Sequence, residues 1–241
     1  MKCTLNAELF THIIDAIKDL NPHANFDFTE DGLHMQVMDT AHVSLSTLVL
    51  TKDSFQEYIC ENNIVLGLNL KSLVLVLRNS KGPLQFSSKG EKLHVNVQKN
   101  SGTAQYVLNL MEIEYDQLGL PDVTYDSIAV LPSSMFARVI KDFSDISFTC
   151  DISVDQRLHV SACGDIGNLV WHSGDDCKCT VVKTTPALKF GIRYMCLFLK
   201  AASVSKEVIL GLKADSPICV TFPVGSGHLR FYLAPRQEGD E

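Results

Sequence analysis

The stretch VMDTAHVSL, residues 37–45, sets Asp39, Thr40 and His42 side by side, the residue types that acid–base work or metal binding would use. Asp-x-x-His does neither without a third polar partner, and none lies nearby in the sequence. Cys177-Lys178-Cys179 is the other close set. Its spacing suits no common zinc module, and no Cys-x-x-Cys or second pair completes it, so no metal is expected. Eight histidines are spread singly; His34, His94 and His159 each follow a leucine and precede Met or Val, the place of an outward residue on a strand.

Motifs for group transfer are missing. There is no Gly-x-x-x-x-Gly-Lys loop, no Gly-x-Ser-x-Gly elbow and no His-Glu-x-x-His helix. Gly225-Ser226-Gly227 lacks the third glycine and the following helix of a dinucleotide site. The expectation is a protein that is not an enzyme and carries no cofactor.

The chain of 241 residues is 46% hydrophobic, enough for two domains with full cores. No apolar run reaches the roughly 18 residues of a membrane span, and MKCTLNAELF has no signal core, so a soluble intracellular protein without a membrane partner is expected. The eight cysteines lie mostly beside apolar neighbours, the pattern of reduced, packed thiols. A net charge of −7 excludes a surface that is basic throughout and leaves room for a basic face.

An internal echo organises the chain. Leu9-Phe10-Thr11-His12-Ile13-Ile14 returns as Met135-Phe136-Ala137-Arg138-Val139-Ile140, Leu33-His34-Met35 as Leu158-His159-Val160, and Leu66-Gly67-Leu68 as Phe190-Gly191-Ile192. The offset, about 125 residues, is half the chain, which points to a duplication. Helical spacing predicts helices over Glu8 to Leu20 and Ser133 to Ser144, with shorter ones at Leu70 to Asn79 and across Arg193 to Lys200. Strands are predicted at 93–98, 147–154, 157–162, 207–214, 218–222 and 229–234. The expected division is a domain over 1–111, a connector over 112–126 that is acidic yet holds Leu118, Leu120 and Tyr125, and a second domain over 127–241. Apolar residues on such a connector suggest a docking surface.

Four helices then share one property. Their outward faces carry Lys18, Lys71, Arg78, Arg138, Lys141, Arg193 and Lys200 against Asp15, Asp19 and Asp142. Basic faces segregated within an acidic protein suggest contact with a polyanion. No aromatic ladder interleaves them, which favours phosphate-backbone contact over base stacking.

Along its whole length the chain resembles the proliferating cell nuclear antigen family, the eukaryotic sliding clamps. The motifs that carry the likeness are VMDTAHVSL, NLKSLVLVLR (69–78), DQLGLPDVTY (116–125), LPSSMFARVIKDFS (131–144), SACGDIGN (161–168), FGIRYMCLFLKA (190–201) and GHLRFYLAP (227–235). The resemblance implies an α+β, duplicated DNA-clamp fold: two similar domains per chain, helices lining a central hole, outer antiparallel sheets, and a ring-shaped homotrimer. It implies a non-enzymatic processivity factor that encircles duplex DNA and tethers DNA polymerase, clamp loader, ligase and nucleases in the nucleus, for replication and repair. The basic helix residues become the DNA-facing set. By the same resemblance Tyr106, Leu108, Leu110 and Trp171 lie at the subunit interface. Short peptide motifs of partners bind at Met38, His42, Val43, Leu45, Leu118, Gly119, Leu120, Tyr125, Pro217, Tyr232, Ala234 and Pro235.

The chain departs from the family pattern in several places. Thr11, His12 and Leu75 stand where the family carries lysines, and Ile59 and Asn62 replace a basic pair. Asp155 aligns with the lysine that receives ubiquitin or a related modifier, so that modification cannot occur there. The segment GDDCKC after Trp171 is short. These departures keep open a second reading, a subunit of a heterotrimeric or specialised clamp.

Overall fold

Asn6 and Asn69 each close a strand and open a helix. Each carboxamide oxygen accepts the backbone N–H three residues on, Leu9 and Ser72 respectively, both at 2.9 Å, and so satisfies one of the donors that a helix start leaves without a partner. The computed structural model describes residues 1–114, 118–119 and 123–236. Leu120 of the expected peptide site lies outside them.

The chain divides into two compact units. The first comprises Met1–Thr40, Ser46–Leu118 and Pro223–Leu229, and the second Ala41–Leu45, Gly119–Phe222 and Arg230–Glu241. The elements run from β1 (Lys2–Asn6), α1 (Ala7–Ile17), β2 (His23–Thr29), β3 (Gly32–Met38), β4 (Ser44–Thr51), β5 (Glu57–Ile59) and β6 (Ile64–Asn69) to α2 (Leu70–Leu77), β7 (Ser80–Lys89), β8 (Lys92–Lys99) and β9 (Gly102–Asn109). There follow β10 (Ser127–Pro132), α3 (Ser133–Ser144), β11 (Thr149–Val154), β12 (Leu158–Gly164), β13 (Gly167–His172), β14 (Lys178–Val181) and β15 (Leu188–Gly191). The last are α4 (Ile192–Phe198), a 3-10 turn (Leu199–Ser203), β16 (Glu207–Leu212), β17 (Ile218–Val224) and β18 (Gly227–Leu233).

Strand order establishes the duplication more firmly than the sequence echoes do. In the first unit the orders are β5-β1-β7-β8-β9 and β6-β2-β3-β4; in the second they are β14-β10-β16-β17-β18 and β15-β11-β12-β13. Adding nine to each strand number of the first unit reproduces the second. The helices fall at matching points, after the first and sixth strand of each unit. This is the duplicated α+β arrangement of mostly antiparallel strands and few helices that the sequence implies.

The core of each unit is aromatic at its centre. In the first, Phe10 of α1 packs against Phe26 of β2 and edge-on against Phe86 of β7, with ring centroids 6.4 and 5.5 Å away. In the second, Phe198 of α4 stacks on Phe231 of β18 at 4.5 Å, and Phe222 of β17 meets that ring edge-on at 6.1 Å. The α1 face that buries Phe10, Ile13, Ile14 and Ile17 leaves His12 exposed and Leu9 at its margin.

The helix ends differ from expectation in ways that matter for charge. Helix α1 stops at Ile17, so Lys18 is its cap and Leu20 lies in the turn beyond. Helix α2 stops at Leu77, and Arg78 has the extended ψ of 132°, so Arg78 does not share a helix face with Lys71. At this end Asn79 takes the left-handed φ of +58°, which turns the chain away, and Lys99 Nζ donates to the carbonyls of Val76, at 2.7 Å, and of Arg78. Helix α4 tightens into the 3-10 turn at Leu199, so Arg193 and Lys200 are not two α-turns apart on one face. The strand predicted from Ser147 begins at Thr149, which leaves Phe148 outside it and 91% exposed.

Phe10→Ala should lower the unfolding free energy by about 3–5 kcal/mol, since it removes a ring between two sheets. Urea titration measures this, and a loss near zero would show that Phe10 does not hold those sheets.

Candidate functional site

The loop of the opening motif is shaped by its backbone. His42 is exposed and has φ +58°, a left-handed conformation that histidine tolerates better than a branched residue would, and it turns the chain between β3 and β4. Asp39 is buried at 6% exposure. Val43, half-buried, offers its carbonyl to the Ala234 N–H at 3.1 Å. This ties the loop to the segment after β18. Leu45 is 8% exposed, a wall of the core more than an open contact.

Tyr125, expected on an exposed connector, is half-buried in the second unit, and the residue that seats it is Gly211 of β16. A Cβ on Gly211 would come within 2.7–2.9 Å of the Tyr125 ring, so only glycine lets the ring lie there. Burial, then Cys219, pushes the Tyr125 hydroxyl well above its ordinary pKa; burial and Cys219 likewise raise Tyr232. Cys219 is buried and its sulfur lies 3.4 Å from Thr221 Oγ1. The Arg230 Nε is buried without a hydrogen-bond partner among the described residues. Of Cys219, Thr221 and Arg230, only Cys219 is fully buried, and the other two are half-buried. Ala234 and Pro235 are half-buried and Pro217 exposed.

In the first unit the start of the connector is fastened at three points. Met111 bridges Gly67 of β6, its N–H donating to the Gly67 carbonyl at 2.9 Å, and a Cβ at Gly67 would fall 2.1 Å from the Met111 oxygen. Asn25 Nδ2 donates to the Ile113 carbonyl at 2.9 Å. The Gln36 carboxamide brackets Leu118, accepting its N–H at 2.8 Å and donating to its carbonyl at 3.0 Å. That is the pattern of a strand partner made by a side chain, and it leaves the Leu118 side chain 42% exposed. Met38, half-buried, belongs to this unit too; Gly119 is exposed.

The basic residues are not equivalent. Lys71 and Arg78 in the first unit, and Arg138, Lys141, Arg193 and Lys200 in the second, are exposed. Lys18 is not: its side chain is 19% exposed, with Nζ 2.7 Å from Asp15 and 3.3 Å from Asp19. Burial opposes its charge, yet the two carboxylates more than offset this and hold its pKa above the ordinary value. Arg138 and Lys141 are three residues apart on α3 and share one outward face.

Strands β9 and β13 are two of the six strands that end the three sheets. Strand β9 pairs with β8 alone, and β13 with β12 alone, among the described residues. No residue of β9 is buried; Tyr106 and Leu108 are half-buried on one face and Val107 is 53% exposed on the other. Leu110, just past β9, is half-buried, and Lys99 lies over the Tyr106 ring, 5.7 Å from its centroid. On β13, Trp171 is half-buried opposite Val160, and Val170 is 57% exposed. Trp171 is thus an edge-strand residue and not a core anchor.

Gln36, Gly67, Gly211, Cys219 and Arg230 are the site-forming residues that sequence reasoning missed. Only the glycines carry a local signal, being isolated within strand patterns. Among the described residues no group of three or more His, Cys, Asp and Glu is arranged to hold a metal ion, and no helix is long and apolar enough to cross a membrane.

Residues 3–118 match the family described as proliferating cell nuclear antigen, N-terminal domain, and residues 119–237 match its C-terminal domain. The two matches adjoin between Leu118 and Gly119.

Gly211→Val should displace the Tyr125 ring and weaken capture of a partner peptide by at least about tenfold, an energy of roughly 1.4 kcal/mol. Fluorescence titration with a labelled peptide reads this out, and unchanged affinity would remove Tyr125 from the site.

Proposed function

The chain belongs to the proliferating cell nuclear antigen family and is a DNA sliding clamp of that general type; on this premise we propose that three copies close head to tail into a homotrimer. The observation that carries the proposal is that the sheet edges β9 and β13 hold exposed apolar side chains, Val107 and Val170. Exposed strands such as β9 and β13 invite pairing, and one of each per chain, on different sheets, makes a heterologous contact that closes a ring when the rotation is right. Tyr106, Leu108, Leu110 and Trp171 are the proposed contacts across it.

In this ring the duplex is held by enclosure, and Lys71, Arg78, Arg138, Lys141, Arg193 and Lys200 supply weak phosphate contacts without base reading. Lys18, neutralised by Asp15 and Asp19, contributes least. The clamp acts, without catalysis of its own, as a processivity factor in the nucleus, tethering polymerase, clamp loader, ligase and nuclease partners. A short peptide of each partner inserts an apolar plug beside Val43, Tyr125, Tyr232 and Pro235 and pairs its backbone near Ala234.

A specialised or heterotrimeric clamp is the second reading. It is favoured by the loss of first-unit bases at Thr11, His12 and Leu75 and by the engagement of Lys18. Light scattering on the purified chain separates the two: a threefold mass supports the homotrimer, and a monomer at all concentrations supports the alternative.

Loaded onto DNA, the clamp should stay on closed circles and leave linear molecules by their ends; equal retention on both would sink the enclosure reading. Arg138→Glu with Lys141→Glu should weaken DNA contact and reduce its salt dependence by about two counterions' worth. Lys18→Glu should change both much less, and a reversed ranking would show that α1 dominates.

A further inference from the structure

Cys177 and Cys179 take no part in the proposed clamp site, yet their sulfurs lie 3.7 Å apart and both side chains are partly exposed. No other His, Cys, Asp or Glu among the described residues completes a metal-ligand set around them. We propose that the two thiols form a reversible oxidation site, closed by a peroxide into one intramolecular disulfide.

The backbone makes this closure possible. In a regular strand, alternate Cα atoms stand about 6.6 Å apart, near the upper limit for a disulfide. Cys177, however, lies just before β14, in the bend that follows Gly174, its N–H bonded to the Gly174 carbonyl at 3.2 Å. Strand β14 spans only Lys178–Val181, and β10 alone pairs with it. Cys177 lies outside the ladder, which begins at the Lys178–Val130 pair, so the bend that carries its sulfur can adjust while β14 stays paired. Both thiols are partly exposed, where a dithiol reductant reaches the bridge.

The order of steps follows from the surroundings. Cys177 lies in the bend outside the paired strand and meets the peroxide first, while burial, then the neighbouring Cys177, pushes the Cys179 thiol up to about 12. The Cys177 thiolate sulfur attacks one peroxide oxygen, the O–O bond breaks, and a sulfenic acid and one water result. The Cys179 sulfur then attacks the Cys177 sulfur; the S–O bond breaks and a second water leaves. Two thiol hydrogens and two electrons have passed to the peroxide, and a dithiol reductant returns them.

The test treats the full-length native chain with hydrogen peroxide, caps remaining thiols with an alkylating agent and maps peptides by mass. Cys163, exposed and without a neighbouring thiol, serves as the internal control. The expected product is a peptide bearing a Cys177–Cys179 bridge, formed at least about tenfold faster than Cys163 is oxidised and fully reversed by dithiothreitol. In Cys179→Ser the bridge cannot form and dimedone should capture a sulfenic acid at Cys177. Free Cys177 and Cys179 at peroxide levels that modify Cys163, a bridge to any other cysteine, or dimedone capture absent from Cys179→Ser would each overturn the proposal. None of these results depends on ring closure or DNA loading.

Discussion

Each unit must cover a helix pair with two sheets at once, and the aromatic side chains at its centre are the contacts that meet this requirement. Phe10 reaches Phe26 in one sheet and Phe86 in the other, so α1 is fixed in rotation as well as in place. A helix held in this way commits one stripe to the core and leaves the rest to solvent. The consequence is electrostatic: bases such as Arg138 and Lys141 appear on outward helix faces because Phe136, Val139, Ile140 and Phe143 have taken the inward one. A net charge of −7 is compatible with local basic faces only when packing sorts the charges by side.

The connector obeys a related constraint. A segment that leaves a domain carries backbone donors and acceptors with no strand to satisfy them. Here side chains and single bridges do that work: Gly67 takes Met111, Asn25 takes Ile113, and the Gln36 carboxamide takes both polar groups of Leu118. With its backbone satisfied, Leu118 holds its apolar side chain out toward solvent at little structural cost. Tyr125 is placed differently: its ring lies on the surface of β16 where Gly211 makes room, and it stays half-buried there.

Much of this was legible because it is periodic. The helical spacing that predicts α3 gives both its ends, Ser133 and Ser144, and the three echoes at one offset announce a duplication that the strand orders then complete. What could not be read depends on residues distant in sequence. Arg78 leaves its helix where Asn79 turns the chain at φ +58° and Lys99, more than twenty residues on, occupies the carbonyls of Val76 and Arg78. Lys18 looked basic by type, but its charge is absorbed by Asp15 and Asp19 on the same short arc. Lys200 fell off the face of Arg193 because a 3-10 turn changes the angle per residue, a switch that apolar spacing does not report. Leu45 and Asp39 sit deeper than a loop motif suggests, since burial is set by what lies over a strand and not by the strand itself.

The uneven charge of the two units is consistent with enclosure instead of being at odds with it. A protein that must grip DNA loses affinity steeply with each phosphate contact removed, because each contact releases a counterion. A ring has no such dependence: its residence is governed by the interface that opens, and contacts with phosphates only centre the duplex. Bases can therefore be thinned from the two helices of one unit, as at Thr11, His12 and Leu75, provided the edges β9 and β13 still find partners. On this account the residues under the strongest physical constraint are the apolar ones on the edges, Tyr106, Leu108 and Trp171, and the lysines and arginines are the more replaceable part.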